Sequence, residues 1–331
     1  MERIRTGVVG LGRMGKHHCR VYSNLREAQF VGVFDINPKL TNELSQLYEV
    51  QAFDSIEELL ANVDAVSIAT PTPAHFEIIQ NCLERHVHFL VEKPLTDTLA
   101  RAESLMKPMN ESGLIIQVGH IERFNPTYVE LKNVLEPMKV FAINFQRLSP
   151  YRVSNKDVDV VLDLMVHDLD LCNDLTGTNP AAVNAYGTKP FSESLDHVVA
   201  QLMYISGMMI TLTASRITEQ KVRMVEVTAE DAYVQADFLN KNIYIHRCST
   251  GAYTSNNHNG VKYQQESLTQ RILVPSAEPL ALEIKHFMNC ISQGRTPVVP
   301  ASSGYLALEL ADRIRNQVDA VNTEIAHTPS A

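Results

Sequence analysis

The sequence predicts an α/β domain with a parallel, doubly wound sheet, followed by an α+β domain with a large, mostly antiparallel open sheet. Three observations predict it. A glycine-rich turn joins a strand to a helix near the N-terminus, strands and helices then alternate to about residue 120, and closely spaced strands dominate the rest. At 331 residues the chain exceeds one ordinary core, so we expect two domains, 1–121 and 122–331.

The first domain opens on Arg5-Thr6-Gly7-Val8-Val9, a short apolar run suited to a buried parallel strand. Gly10-Leu11-Gly12-Arg13-Met14-Gly15 follows, a GxGxxG, and then a helical pattern through His18, Val21, Tyr22 and Leu25. A second strand, Phe30 to Phe34, ends in Asp35. In this context the first glycine makes the turn, the second lets backbone approach a pyrophosphate, and the third permits close helix–strand packing. The helix N-terminus offers unpaired N–H groups to the phosphates. Asp35 lies about 20 residues on, where a carboxylate accepts from ribose hydroxyls and repels a 2′-phosphate. The expected cofactor is NAD, held by Gly10, Gly12, Arg13, Met14, Gly15 and Asp35. A third strand, Ala65 to Ala69, ends in the proline-rich turn Thr70-Pro71-Thr72-Pro73-Ala74-His75. A fourth, His88 to Val91, ends in Glu92-Lys93-Pro94, and a fifth, Leu114 to Val118, ends in Gly119-His120. Ligands bind beyond the carboxyl ends of such strands, which puts Gly10, Asp35, Thr70, Glu92, Lys93 and His120 on one rim.

Beyond His120 the pattern changes. Asn125-Pro126 opens a helix, Val140 to Phe145 is a strand, and a polar loop from Ser149 to Asp159 precedes a helix predicted over Val161 to Leu175. Strand-like runs then fill Val183 to Val274, with Asn240-Lys241-Asn242 as a hairpin turn. Two amphipathic helices close the chain, one striped by Leu280, Ile284, Phe287, Met288 and Ile291, the other by Ala307, Leu310, Ile314, Val318 and Val321.

Net charge is −9, which argues against nucleic acid or an anionic membrane as a general partner. Five scattered cysteines without CxxC spacing read as reduced thiols, and no apolar run reaches membrane-spanning length, so a cytoplasmic protein is expected.

Two stretches carry chemistry. Lys93 stands at a strand's carboxyl end between Glu92 and Pro94, where a nicotinamide ring would lie. In Asp163-Leu164-Met165-Val166-His167-Asp168-Leu169-Asp170, helical spacing puts Asp163, His167 and Asp170 on one face. His167 then reads as a general base tuned by neighbouring carboxylates. A helix start with acids favouring its dipole, a metal site, and a His–Asp ligand pair are the alternatives, and no further His/Asp set completes a coordination sphere.

The glycine fingerprint, the Glu92-Lys93-Pro94 turn and the Asp163…His167…Asp170 helix resemble the glucose–fructose oxidoreductase / inositol dehydrogenase (Gfo/Idh/MocA) family over essentially the whole chain. The resemblance implies a Rossmann domain followed by an open sheet, and oxidation of sugars or cyclitols with NAD(P). It makes Lys93 and His167 catalytic and has Asp163 orient the substrate, and it extends the cofactor contacts to Thr70, Pro71, His75, Glu92 and Lys93. The family usually has glycine where Met165 stands. Val118 to Pro126 and Asp163 to Asp168 are similar to the branch acting on nucleotide sugars. That similarity implies oxidation of UDP-N-acetylglucosamine to its 3-oxo derivative, which an aminotransferase would convert to a 3-amino sugar for lipid A or another glycan. It adds His120, Glu122 and Asn125 to the substrate contacts, with Asp163 and His167. A UDP-sugar carries a pyrophosphate, and Arg123, Arg147, Arg152 and Lys156 bracket the loop before the catalytic helix, where bidentate arginine–phosphate contacts would suit it. A homo-oligomer, dimer or tetramer, follows from the family habit of packing the second sheet face to face. The rival readings are a simple sugar or inositol dehydrogenase, an NAD-using glycosidase, and a non-catalytic NAD-binding sensor.

Overall fold

The computed structural model describes residues 3–151, 158–254 and 261–327. The chain divides into two compact units. The first comprises Met1–Phe124, Leu169–Asn173 and Ala277–Asp312, and the second Asn125–Asp168, Asp174–Ser276 and Arg313–Ala331.

In the first unit β1 (Ile4–Val9), α1 (Arg13–Asn24), β2 (Ala28–Phe34), α2 (Pro38–Tyr48), β3 (Gln51–Ala52), α3 (Ile56–Asn62), β4 (Ala65–Ile68), α4 (His75–Glu84), β5 (His88–Glu92), α5 (Leu99–Glu111) and β6 (Ile116–Gly119) follow in order. The six strands form one parallel sheet, β3-β2-β1-β4-β5-β6. This is the order of a doubly wound dinucleotide fold, whose direction of winding reverses beside β1. Its central strands are apolar on both faces because helices cover both, and β4 is buried throughout. Asn37, Ser55 and Thr98 cap α2, α3 and α5, each side chain accepting a backbone N–H of the first turn. The two-residue strand β3 escapes sequence reading because it is too short to show a period.

The second unit opens on α6 (Pro126–Leu135) and β7 (Val140–Leu148). The chain then enters a π-helical turn over Val161–Met165 that runs on into α7 (Val166–Thr176). The strands β8 (Ala182–Thr188), β9 (His197–Met203), β10 (Met209–Ser215), β11 (Val222–Ala229), β12 (Tyr233–Asp237), β13 (Asn242–Thr254) and β14 (Val261–Leu273) complete a sheet ordered β14-β13-β12-β11-β7-β10-β9-β8. Every pairing is antiparallel except β7 with β10. One face is core, built by Ile143, Phe145, Val198, Ala200, Leu202, Ile210, Leu212, Val225 and Val227 at alternate positions. The hairpin between β12 and β13 turns at Lys241 with φ 54°, as the Asn-Lys-Asn signal predicts. The full lengths of β13 and β14 do not follow from sequence, because residues 247–270 lack apolar alternation.

The boundary at 121 needs correction for the C-terminal helices, α8 (Pro279–Gln293) and α9 (Ala301–His327). Leu280, Ile284, Phe287 and Met288 of α8 share a core with Val8, Leu11, Cys19, Tyr22 and Leu90. Helix α8 and the first half of α9 therefore belong to the first unit. An apolar stripe shows that a helix packs, and not which sheet receives it.

Candidate active site

The glycine loop is shaped as its spacing requires. Gly10 adopts φ +85°, and a Cβ there would lie 2.6 Å from the Thr70 backbone nitrogen. At Gly15 a Cβ would sit 1.8 Å from the Gly10 carbonyl oxygen, so only glycine lets α1 start this close to β1. A Cβ on Gly12 would meet nothing within 4 Å, which leaves its backbone open to an approaching ligand. Helix α1 has no side-chain cap and no acid in its first turn, so its leading N–H groups keep their positive end for an anion. Arg13 is exposed there and Met14 half-buried. Asp35 Oδ2 accepts the Leu11 N–H at 2.6 Å, which sets the carboxylate beside the loop at the end of β2. These residues fit the pyrophosphate and ribose of a dinucleotide.

Thr70, Glu92 and Lys93 are half-buried on the same rim and Pro71 is exposed. His75 is corrected. Its ring is 1% exposed, with Nδ1 3.0 Å from the Pro94 carbonyl and Nε2 3.1 Å from the Thr70 carbonyl. It braces the two rim turns from behind, and burial lowers its pKa. His120 is buried, and neither ring nitrogen has a hydrogen-bond partner among the described residues. Burial lowers its pKa, while the charges of Asp170, Arg123, Lys93 and Glu92 all bear on it. A neutral imidazole with unused hydrogen-bonding capacity thus lies close to Lys93.

The arginine reading changes most. Arg123 is buried and grips Asp170 through Nε at 2.6 Å and Nη2 at 3.0 Å. Arg147, also buried, grips Asp168 through Nε at 2.9 Å and Nη2 at 2.6 Å. Each guanidinium fork is engaged by a buried carboxylate, so neither stands ready to clamp a pyrophosphate. Arg152 and Lys156 lie outside the described residues. The Asn125 side chain caps α6 by accepting the Thr127 N–H at 3.0 Å. Glu122 is buried in the short 3-10 turn before it.

Asp163 and His167 are both half-buried, four residues apart across the π-helical turn and the start of α7. Asp170 does not share their exposure, because it is fully buried against Arg123. The expected face of three polar groups therefore reduces to two. Met165, at the family's glycine position, is fully buried. Asp159, which the sequence reading passed over, starts this segment: Oδ1 accepts the N–H groups of Val161 and Leu162, and Oδ2 meets Arg315 Nε at 2.9 Å. An Asp just ahead of an apolar helical run is a legible capping signal. Among the described residues, no group of three or more His, Cys, Asp or Glu could hold a metal ion, and no helix is long and apolar enough to cross a membrane.

Residues 4–120 match the oxidoreductase family with an NAD-binding Rossmann fold, GFO/IDH/MocA, and residues 142–235 match the GFO/IDH/MocA C-terminal domain. The chain belongs to the GFO/IDH/MocA family. This GFO/IDH/MocA protein is an NAD-dependent dehydrogenase. It is 34% identical to UDP-N-acetylglucosamine 3-dehydrogenase of Acidithiobacillus ferrooxidans, over 97% of this chain and 99% of that one. The solved structure of that relative superposes with a TM-score of 0.86 at 32% identity, with the same coverage. The NAD-dependent scyllo-inositol 2-dehydrogenase of Bacillus subtilis is 24% identical, over 93% of this chain and 92% of its own.

Proposed function

We propose that this dehydrogenase oxidises the 3-hydroxyl of UDP-N-acetylglucosamine. The observation that carries the reading is the full-length similarity to an enzyme of that name at 34% identity, against 24% for the inositol relative. NAD, held by the Gly10–Gly15 loop and Asp35, would supply the acceptor for the hydride that leaves the carbon bearing the hydroxyl. His167 accepts the hydroxyl proton at a ring nitrogen, and Asp163 orients the sugar. The Lys93 ammonium stabilises the alkoxide-like charge on the same oxygen. His120 hydrogen-bonds the substrate side of the rim with its unused ring nitrogens. Thr70, Pro71 and Glu92 line the cofactor's ribose and nicotinamide. The pyrophosphate reading no longer rests on Arg123 or Arg147. The 3-oxo product suits an aminotransferase step that makes a 3-amino sugar, and the second sheet suits pairing into a homo-oligomer.

Purified protein with NAD and a panel of UDP-sugars, free N-acetylglucosamine and inositols tests the substrate. NADH and a 3-oxo sugar should form from UDP-N-acetylglucosamine, with UDP alone competing. Equal turnover of the free sugar or an inositol would overturn the nucleotide-sugar reading, and bond cleavage without net NADH would replace it with a glycosidase. Catalysis is tested separately. With NAD saturating, His167→Asn should lower turnover roughly 10²–10⁴-fold. Lys93→Met should cost about 3–4 kcal/mol of transition-state stabilisation. If both act on one transition state, the double variant loses less than the sum. Full activity in either single variant would remove that residue from the mechanism.

A further inference from the structure

A chain of four polar groups runs inside the first unit and ends on the residue before Lys93. Tyr22 Oη lies 2.9 Å from Ser67 Oγ, Ser67 Oγ lies 3.0 Å from His18 Nδ1, and His18 Nε2 lies 2.9 Å from Glu92 Oε1. Tyr22, Ser67 and His18 are all buried. His18 and Tyr22 stand four apart on one face of α1, while Ser67 and Glu92 belong to the adjacent strands β4 and β5, so rigid elements hold every member.

The chain has a direction. Burial raises the Tyr22 pKa, so its hydroxyl keeps its proton. The Glu92 carboxylate only accepts, so His18 Nε2–H donates to it; with Nδ1 as acceptor the Ser67 hydroxyl donates to Nδ1 and the Tyr22 hydroxyl donates to Ser67 Oγ. Each of these three protons then has an acceptor. A proton on Nδ1 would take that acceptor away from Ser67. The hydrogen-bond pattern therefore places a proton on Nε2. Gly119 leaves room for Glu92 on its other edge, where a Cβ would lie 3.1 Å from both Glu92 Cα and Oε2. The charge held there bears on His120, the neighbour of Lys93, and on buried Glu283.

We propose that His18 is a positioning residue for hydride transfer: its Nε2–H holds the Glu92 carboxylate against Gly119 and so fixes the turn that presents Lys93. The assignment rests on Lys93 meeting the substrate oxygen. Outer partners that orient the ligands of metal sites affect activity about 10–100-fold without touching substrate, and an effect of that order is expected here.

Nitrogen-15 NMR of the full-length protein with labelled histidine should show a proton on His18 Nε2. An Nδ1–H tautomer with no proton on Nε2 would overturn the proposal. His18→Leu should lower kcat at least about tenfold with KM for NAD little changed. His18→Gln, whose amide still donates at the reach of Nε2, should recover most of that loss. Equal losses in the two variants would mean that the ring only fills space. Should His18→Leu not fold, Ser67→Ala breaks the chain one step earlier and should weaken the tautomer preference and kcat together; no change in either overturns the relay. Lys93→Met, measured in parallel, separates the two readings. Full activity there removes Lys93 from catalysis, whereas the tautomer result judges the relay alone.

Discussion

Arg147→Met should destabilise the second unit well before it alters substrate affinity. Arg147 and Asp168 are 3% and 4% exposed and share two hydrogen bonds, at 2.9 and 2.6 Å. Removing the guanidinium leaves a buried carboxylate without the cation that meets it, a change that costs about 3–5 kcal/mol. Against a typical total of about 5–15 kcal/mol, that is about a fifth or more of the stability of an ordinary domain. Replacing both partners, as in Arg147→Met with Asp168→Leu, should recover much of the loss, because no charge is then left buried. Urea unfolding of the full chain, followed by circular dichroism, reads the first quantity, and KM for the nucleotide sugar reads the second. An Arg147→Met protein with an unchanged urea midpoint and a raised KM would refute the reasoning and return the guanidinium to the pyrophosphate.

Two further predictions concern the first unit. Asp35→Ser should weaken NAD and narrow its advantage over NADP, since the carboxylate at the end of β2 would no longer repel a 2′-phosphate; equal use of both cofactors by the unmutated enzyme, in initial-rate assays, would refute that role. Glu283 is fully buried, and its pKa is raised by desolvation and by the charges of Glu92 and Asp170. The folded state therefore keeps a proton that the unfolded chain releases once pH passes the ordinary carboxyl range, and stability falls as pH rises from there toward the folded pKa. Glu283→Gln removes that proton demand, so its stability relative to the parent should grow from about pH 5 to 8 in urea titrations, and a flat difference would contradict the assignment.

The parts of the candidate site that sequence makes legible are those whose signal is local. The Gly10, Gly12 and Gly15 spacing, Asp35 at the end of the next strand, and Lys93 after Glu92 depend on a few consecutive residues and on strands ending at one rim. The alternation of apolar strands and amphipathic helices likewise determined the doubly wound sheet, because burial on both faces leaves its mark in each short segment. What tertiary structure decided is which distant groups meet. Arg123 and Arg147 look like free cations in a one-dimensional chain, and only folding brings Asp170 and Asp168, 47 and 21 residues away, onto them. His18 is an ordinary helix residue until β4 and β5 carry Ser67 and Glu92 to its two nitrogens. Helix α8 shows its apolar stripe in sequence but not its destination, the core around Val8 and Tyr22. Periodicity records that a side chain is buried. A buried charge or a packed helix also needs a particular partner, and that partner is set by the path of the whole chain.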